Sequence, residues 1–130
     1  MMVLDTDVCI GLIKRREPEL EAAILASEPG TVAISAVTVG ELAFGVANSA
    51  WPDRNRDALD RFLLDFHLLP FDEEDAFYVG ELRAWLKRSG TPIGPYDVLI
   101  AAQCVRHDAM LATRNRREFE RIAGLRLFGE

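Results

Sequence analysis

Residues 31–45 read Thr31-Val32-Ala33-Ile34-Ser35-Ala36-Val37-Thr38-Val39-Gly40-Glu41-Leu42-Ala43-Phe44-Gly45, and the stretch changes character once. Thr31–Ile34 is a short apolar run rich in β-branched residues, the composition of a buried strand. Ser35 then offers a hydroxyl suited to capping a helix that runs to about Gly45. A strand passing straight into a helix is half of a βαβ unit, since a parallel neighbour is reached only by a crossover.

The same grammar repeats outward from this stretch. Toward the N-terminus, Met2-Val3-Leu4 is a strand that stops at Asp5, followed by helical patterns through Val8–Lys14 and Glu19–Ser27 and a turn at Glu28-Pro29-Gly30. Toward the C-terminus, Asn48–Asn55, with Trp51-Pro52-Asp53, is the most loop-like segment. A helix from about Arg56 to Asp65 then leads to the strand Phe66–Leu69, closed by Pro70. Asp72-Glu73-Glu74-Asp75 crowd acids into the first turn of a helix that ends in Lys87-Arg88 and Gly90, as the helix dipole favours. Pro95 stands at the first position of a helix through His107 that is apolar on nearly every face, and which therefore belongs in the centre. Ala109–Ala112 is a strand, Asn115–Ile122 a short helix and Leu125–Phe128 a last strand. Alternating βαβα segments predict an α/β fold: one domain, residues 1–130, with a central parallel sheet of four to five strands flanked by helices on both faces.

Composition narrows the function class. The chain has 130 residues, 49% hydrophobic and 28% charged, the balance of a soluble globular domain rather than a disordered or repetitive one. No apolar run is long enough to span a membrane, and the basic cluster Lys14-Arg15-Arg16 follows the N-terminal apolar run, the reverse of a signal peptide. Cys9 and Cys104 lie among apolar neighbours and read as buried thiols of a cytoplasmic protein. The net charge of −6 argues against a generally basic nucleic-acid binder. Yet Arg106, Arg114, Arg116, Arg117, Arg121 and Arg126 face only Asp108, Glu118 and Glu120 in the same segment. Such a patch either contacts phosphates or is a solvated surface whose arginines pair with those acids.

The chain lacks GxxxxGK[ST], GxGxxG and GxSxG signatures, and His67 and His107 are too far apart to suggest a zinc site or a triad. What it has is acids at strand ends and helix starts, where parallel α/β sheets bind ligands. Asp5 follows the first strand, with Asp7 two residues on. Glu41 lies on the helix after the second strand, Asp97 in the first turn of the central helix, and Asn115 just after Ala109–Ala112. Each has an ordinary structural role open to it: Asp5 or Asp7 as a cap, Asp97 as a dipole partner, Asn115 with Glu118 as a capping box, Glu41 as a surface residue. Brought together, three carboxylates would repel and raise one another's pKa values, a penalty that a hard divalent ion removes. That chemistry is phosphoryl transfer assisted by Mg²⁺ or Mn²⁺.

Four segments, Leu4–Lys14 (LDTDVCIGLIK), Ser35–Gly45 (SAVTVGELAFG), Ile93–Ala102 (IGPYDVLIAA) and Ala112–Leu127 (ATRNRREFERIAGLRL), resemble in order and spacing the PIN-domain ribonucleases, and among them the VapC toxins of VapBC toxin–antitoxin pairs. The resemblance covers essentially the whole chain. It implies a PIN-like twisted sheet and Mg²⁺- or Mn²⁺-dependent endoribonuclease activity on structured RNA such as tRNA or rRNA. Its motif residues fall on Asp5, Glu41, Asp97 and Asn115, with Asp5, Glu41 and Asp97 implied as metal ligands. The last of the four positions is often acidic in the family and is an amide here; Asp7 stands where many relatives carry asparagine or serine. Ser35 and Thr113 match polar positions that shape the site. A homodimer and a larger assembly with a VapB-type antitoxin are implied as well, with Phe44 and Trp51 as candidate apolar contacts. Two other readings remain open at this point: a haloacid-dehalogenase-like phosphatase with Asp5 as nucleophile and Asp7 as acid/base, and a non-catalytic RNA- or protein-binding module.

Overall fold

The computed structural model describes residues 1–129. Its elements are β1 (Met2–Leu4), α1 (Thr6–Ile13), α2 (Pro18–Ala26), β2 (Val32–Ser35), α3 (Ala36–Ala47), α4 (Pro52–Leu63), β3 (His67–Leu69), α5 (Glu73–Arg88), α6 (Pro95–Arg106), β4 (Met110–Ala112), α7 (Arg116–Phe119) and β5 (Arg126–Leu127). The strands form one parallel sheet in the order β3-β2-β1-β4-β5. The expected α/β architecture is thus present, with the full complement of five strands.

Side-chain alternation along the strands builds two apolar layers. Val3, Ala33, Leu69 and Leu111 face a core completed by Leu86, Ile100, Ala101, Phe119 and Ile122, from α5, α6 and the α7 region. Leu4, Val32, Ile34 and Ala112 face the other way, against Val8, Cys9, Leu20, Leu42 and Leu59 from α1 to α4. The inner strands β1, β2 and β4, of three to four residues, are covered on both faces and accordingly consist almost wholly of apolar residues. Helix α6 is the buried central helix foreseen, with Val98, Ile100, Ala101, Ala102, Gln103 and Cys104 all inaccessible. Cys9 and Cys104 are free and buried. Burial pushes the Cys104 thiol up to about 12 and that of Cys9 higher, so both are inert at neutral pH.

The main departures from the sequence expectation lie in α4, α7 and the last strand. Helix α4 begins at Pro52, inside the segment read as a loop, because proline occupies the first helical position and Asp53 its first turn. Helix α7 is one turn rather than a helix to Ile122. The chain tightens after Phe119, where the Ile122 amide donates to the Phe119 carbonyl at 3.1 Å, and both side chains drop into the α5–α6 core. The last strand is only Arg126–Leu127. The capping of α5 holds as read. Asp72 and Asp75 exchange side-chain and backbone hydrogen bonds, and Gly90 adopts the left-handed φ of +71° that ends the helix.

A buried polar network ties the end of β2 and the residue after β3 to α5 and α6. Gln103 accepts from the Ser35 hydroxyl and donates to the Pro70 carbonyl and to Asp75, each at 3.1 Å. Arg106 closes the network on Asp75 at 2.7 Å and extends to Asp72 and Glu74. Burial alone would raise the Asp75 pKa, but the Asp72 amide, Arg106 and Gln103 outweigh it and hold the carboxyl below its ordinary value. His107 lies 3.8 Å from the same carboxylate, and His67 is in the edge strand β3.

Candidate active site

The strand order reverses direction at β1: the chain proceeds outward through β2 and β3, then returns to the far side of β1 as β4 and β5. Loops that leave the carboxyl ends of β1 and β4 therefore diverge, and the crevice between them is where such sheets hold ligands. Asp5 closes β1 at this point, its backbone amide donating to Ala112 at the end of β4. Both oxygens of its buried carboxylate are engaged: Oδ1 accepts from the Val8 amide at 3.1 Å, capping α1, and Oδ2 accepts from the Thr113 hydroxyl. The cap and the site are thus the same residue. Thr113 also receives the Asn115 amide at 3.0 Å, which folds the loop after β4 back toward Asp5.

Glu41 comes from the second turn of α3, where the Thr6 hydroxyl donates to it at 2.6 Å. Asp97 comes from the first turn of α6, behind Gly94 and Pro95. A methyl group on Gly94 would stand 3.2 Å from Asp97 Oδ2 and 3.6 Å from Glu118 Oε1, so glycine there leaves room for two carboxylates around one point. Glu118 is held by two donors, the Gly94 amide and the Asn115 side chain. The Asn115 amide group makes no helix cap and is spent on this contact. Its capping-box reading therefore fails in detail, while its place beside the acids stands.

The charges sense one another. Burial, followed by repulsion from Glu118, Asp5, Glu41 and Asp7, pushes Asp97 up to about 6. Asp5 reaches about 6 as well, chiefly through burial; the hydrogen bonds from Thr113 and Val8 oppose the rise, and Asp7 and Glu41 add to it. Asp7 is exposed on α1 and contributes charge at the rim. Glu118 is the residue that sequence reading passed over as a capping partner, although it is the first acid after β4. Ser35 turns away from the acids: its hydroxyl caps α3 and donates to Gln103, so it stiffens the base of the site from behind.

Asp5, Glu41, Asp97 and Glu118 thus converge electrostatically from β1, α3, α6 and α7. Among the described residues no three histidine, cysteine, aspartate or glutamate side chains stand close enough as they are to hold an ion. The donor chemistry nevertheless suits Mg²⁺ or Mn²⁺: every candidate ligand is an oxygen, and the strong influences on Asp97 all raise its pKa, leaving negative charge unbalanced.

The profile of the PIN domain matches residues 2–125. The chain belongs to the PIN-domain family. Within it, 125 aligned residues are 38% identical to the tRNA(fMet)-specific endonuclease VapC of Salmonella typhimurium, covering 96% of this chain and 94% of that one. Ribonuclease VapC2 of Rickettsia felis is 36% identical, over 95% and 92%. This PIN domain also superposes on solved toxin–antitoxin structures. The VapBC2 complex from Rickettsia felis bound to a promoter DNA fragment gives a TM-score of 0.89 at 35% identity, over 97% and 96% of the two chains. DNA-bound VapBC from Salmonella typhimurium gives 0.89 at 36%, over 97% and 95%.

Proposed function

We propose that this PIN domain is a VapC-type toxin, an endoribonuclease that hydrolyses a phosphodiester bond of a structured RNA with the help of Mg²⁺ or Mn²⁺. The observation that carries the reading is the electrostatic convergence of Asp5, Glu41, Asp97 and Glu118 at the switch point of the sheet, where burial, with repulsion from neighbouring acids, raises Asp5 and Asp97 to about 6. Asp5 and Asp97 would bind the ion directly. Glu41 would join them on release from Thr6, and Glu118 supplies the fourth negative charge that Asn115 lacks. When bound, the ion supplies a more acidic water and a counter-charge for the phosphate. Thr113 keeps the Asp5 carboxylate aimed at the crevice and Asn115 does the same for Glu118.

A tRNA is the favoured substrate class, since the relatives named above include the tRNA(fMet)-specific endonuclease VapC of Salmonella typhimurium. The similar VapBC structures support a VapB-type antitoxin as partner, and a homodimer within a larger complex is part of the same proposal. Phe44 and Trp51 are 70% and 67% exposed, in keeping with their role as candidate contacts. No helix among the described residues is long and apolar enough to cross a membrane, and a cytoplasmic site of action follows from the RNA substrate. The PIN-domain match over nearly the whole chain leaves the phosphatase reading without support.

Expression in a bacterial host without antitoxin tests the reading. It predicts growth arrest and new 5′ ends at one position in one RNA class when total RNA is sequenced, both absent for Asp97→Ala. Arrest without new RNA ends would overturn it.

A further inference from the structure

The six arginines between Arg106 and Arg126 separate into two groups. Arg106 is committed to Asp72, Glu74 and Asp75, Arg114 to Glu17, and Arg126 to the backbone and side chain of Asp108. Arg116 reaches the Phe128 carbonyl at 2.7 Å and Glu120 at 4.0 Å. Arg117 and Arg121, among the described residues, meet no carboxylate; Arg121 donates only to the Pro92 carbonyl at 3.3 Å. These two stand four residues apart across the end of α7. Both line one open cavity of about 290 Å³, whose other walls include Gly94, Asn115 and Glu118.

The cavity therefore has one wall that includes Glu118 and another of two guanidinium groups with no carboxylate partner among the described residues. Guanidinium forks match phosphate oxygens in pairs, and a fork without a carboxylate partner loses no ion pair on binding one. A polyanion whose scissile bond lies over Asp97 and Glu118 must pass its neighbouring phosphate out through an adjoining space, and this cavity adjoins Glu118 directly. We propose that Arg117 and Arg121 form a phosphate subsite that grips the RNA phosphodiester next to the one being cut. The inference rests on the ribonuclease reading and deepens it: the acids cut, and these arginines set the strand's register.

The test compares the parent with Arg117→Ala/Arg121→Ala and Arg117→Lys/Arg121→Lys, on an RNA containing the mapped cut site. The arginines are exposed, and unchanged melting temperatures confirm the fold. The double alanine variant should raise KM about tenfold with kcat within about twofold, and flatten the dependence of log KM on log salt by about one charge. The lysine pair should recover part of the loss. A methylphosphonate replacing the flanking phosphate should impose the same tenfold penalty on the parent and none on the alanine variant. Affinity for the unmodified RNA, measured by fluorescence anisotropy in an Asp97→Asn background, should fall by a similar factor. Unchanged KM in a parent that cuts RNA would overturn the subsite and leave the nuclease standing. Should the parent cut nothing, unchanged affinity in the anisotropy series would overturn it independently. A kcat loss as large as the KM effect, or weakened binding of the antitoxin alone, would overturn it too.

Discussion

The Thr113 hydroxyl, at the end of β4, donates to the Asp5 carboxylate at the end of β1, joining the two strands that flank the reversal of the sheet. Asp5 thus has both oxygens oriented before any ligand arrives, one by its own helix and one by the neighbouring strand. Orientation prepared in this way is what a metal ligand needs, because the ordering cost falls on folding rather than on binding.

Replacing Thr113 by valine keeps the shape and removes that donor. We expect a loss of about 1 kcal/mol in stability, the ordinary net value of one hydrogen bond, and at least a tenfold fall in kcat. Thr113→Ser should retain most of both. Thermal melts and single-turnover cutting measure the two effects separately.

Glu118 and Asn115 are predicted to contribute unequally. Glu118 adds charge next to Asp97, whereas Asn115 only holds Glu118 in place. Glu118→Gln should weaken Mn²⁺ binding about tenfold or more, by loss of an anionic ligand, and Asn115→Ala by clearly less. Calorimetric titration with Mn²⁺ gives the ranking; an equal or reversed order would remove Glu118 from the metal site.

Asp5 and Asp97 make the metal-free protein sensitive to pH in a defined direction. An acid whose folded pKa lies above its unfolded value binds its proton more tightly when folded, so stability is present at low pH and is lost as pH rises through the folded value. With both groups near 6, the metal-free melting temperature should climb as pH is lowered from neutrality to about 5. Asp75 has the opposite sense, its lowered pKa protecting the fold until stronger acid is reached. Asp97→Asn should flatten the slope above pH 5, and Mg²⁺ or Mn²⁺ at neutral pH should raise the melting temperature by mass action. Melts across pH in EDTA, with an unchanged slope in Asp97→Asn, would contradict this assignment.

The Ser35–Gln103–Asp75 network should matter to the fold and not to the chemistry. Gln103→Leu leaves a buried hydroxyl, a carbonyl and a carboxylate each short of a partner, for a combined loss of about 3 kcal/mol. Cutting by the fraction that remains folded in the cold should proceed at the parental rate. A kcat collapse at unchanged stability would place the network in the reaction instead.

Much of this was legible in the chain because it is local. Met2–Leu4 followed by Asp5, and Pro95 followed two residues later by Asp97, state where a strand ends and a helix starts, and acids at such points share an edge once the sheet is parallel. Glu41 needed only the strand–cap–helix reading of residues 31–45. Glu118 was hidden because its place depends on α7 being a single turn that swings the carboxylate to Gly94, a contact across 24 residues. Pro52 misled in the opposite way: the rule that proline starts helices, applied correctly at Pro95, was overridden there by a loop-like composition. The sorting of the arginines into paired and unpaired groups depends on Glu17, Asp72 and Asp75, remote in sequence and near only in the fold.

The most direct measurement is the incubation of purified, antitoxin-free protein with an initiator tRNA transcript and with total RNA, in Mg²⁺, in Mn²⁺ and in EDTA, beside Asp97→Ala of verified fold. The expected result is a discrete cut that needs the metal and disappears in EDTA and in the variant. Cutting that persists in EDTA or in Asp97→Ala, or none in either metal from folded protein, would contradict it.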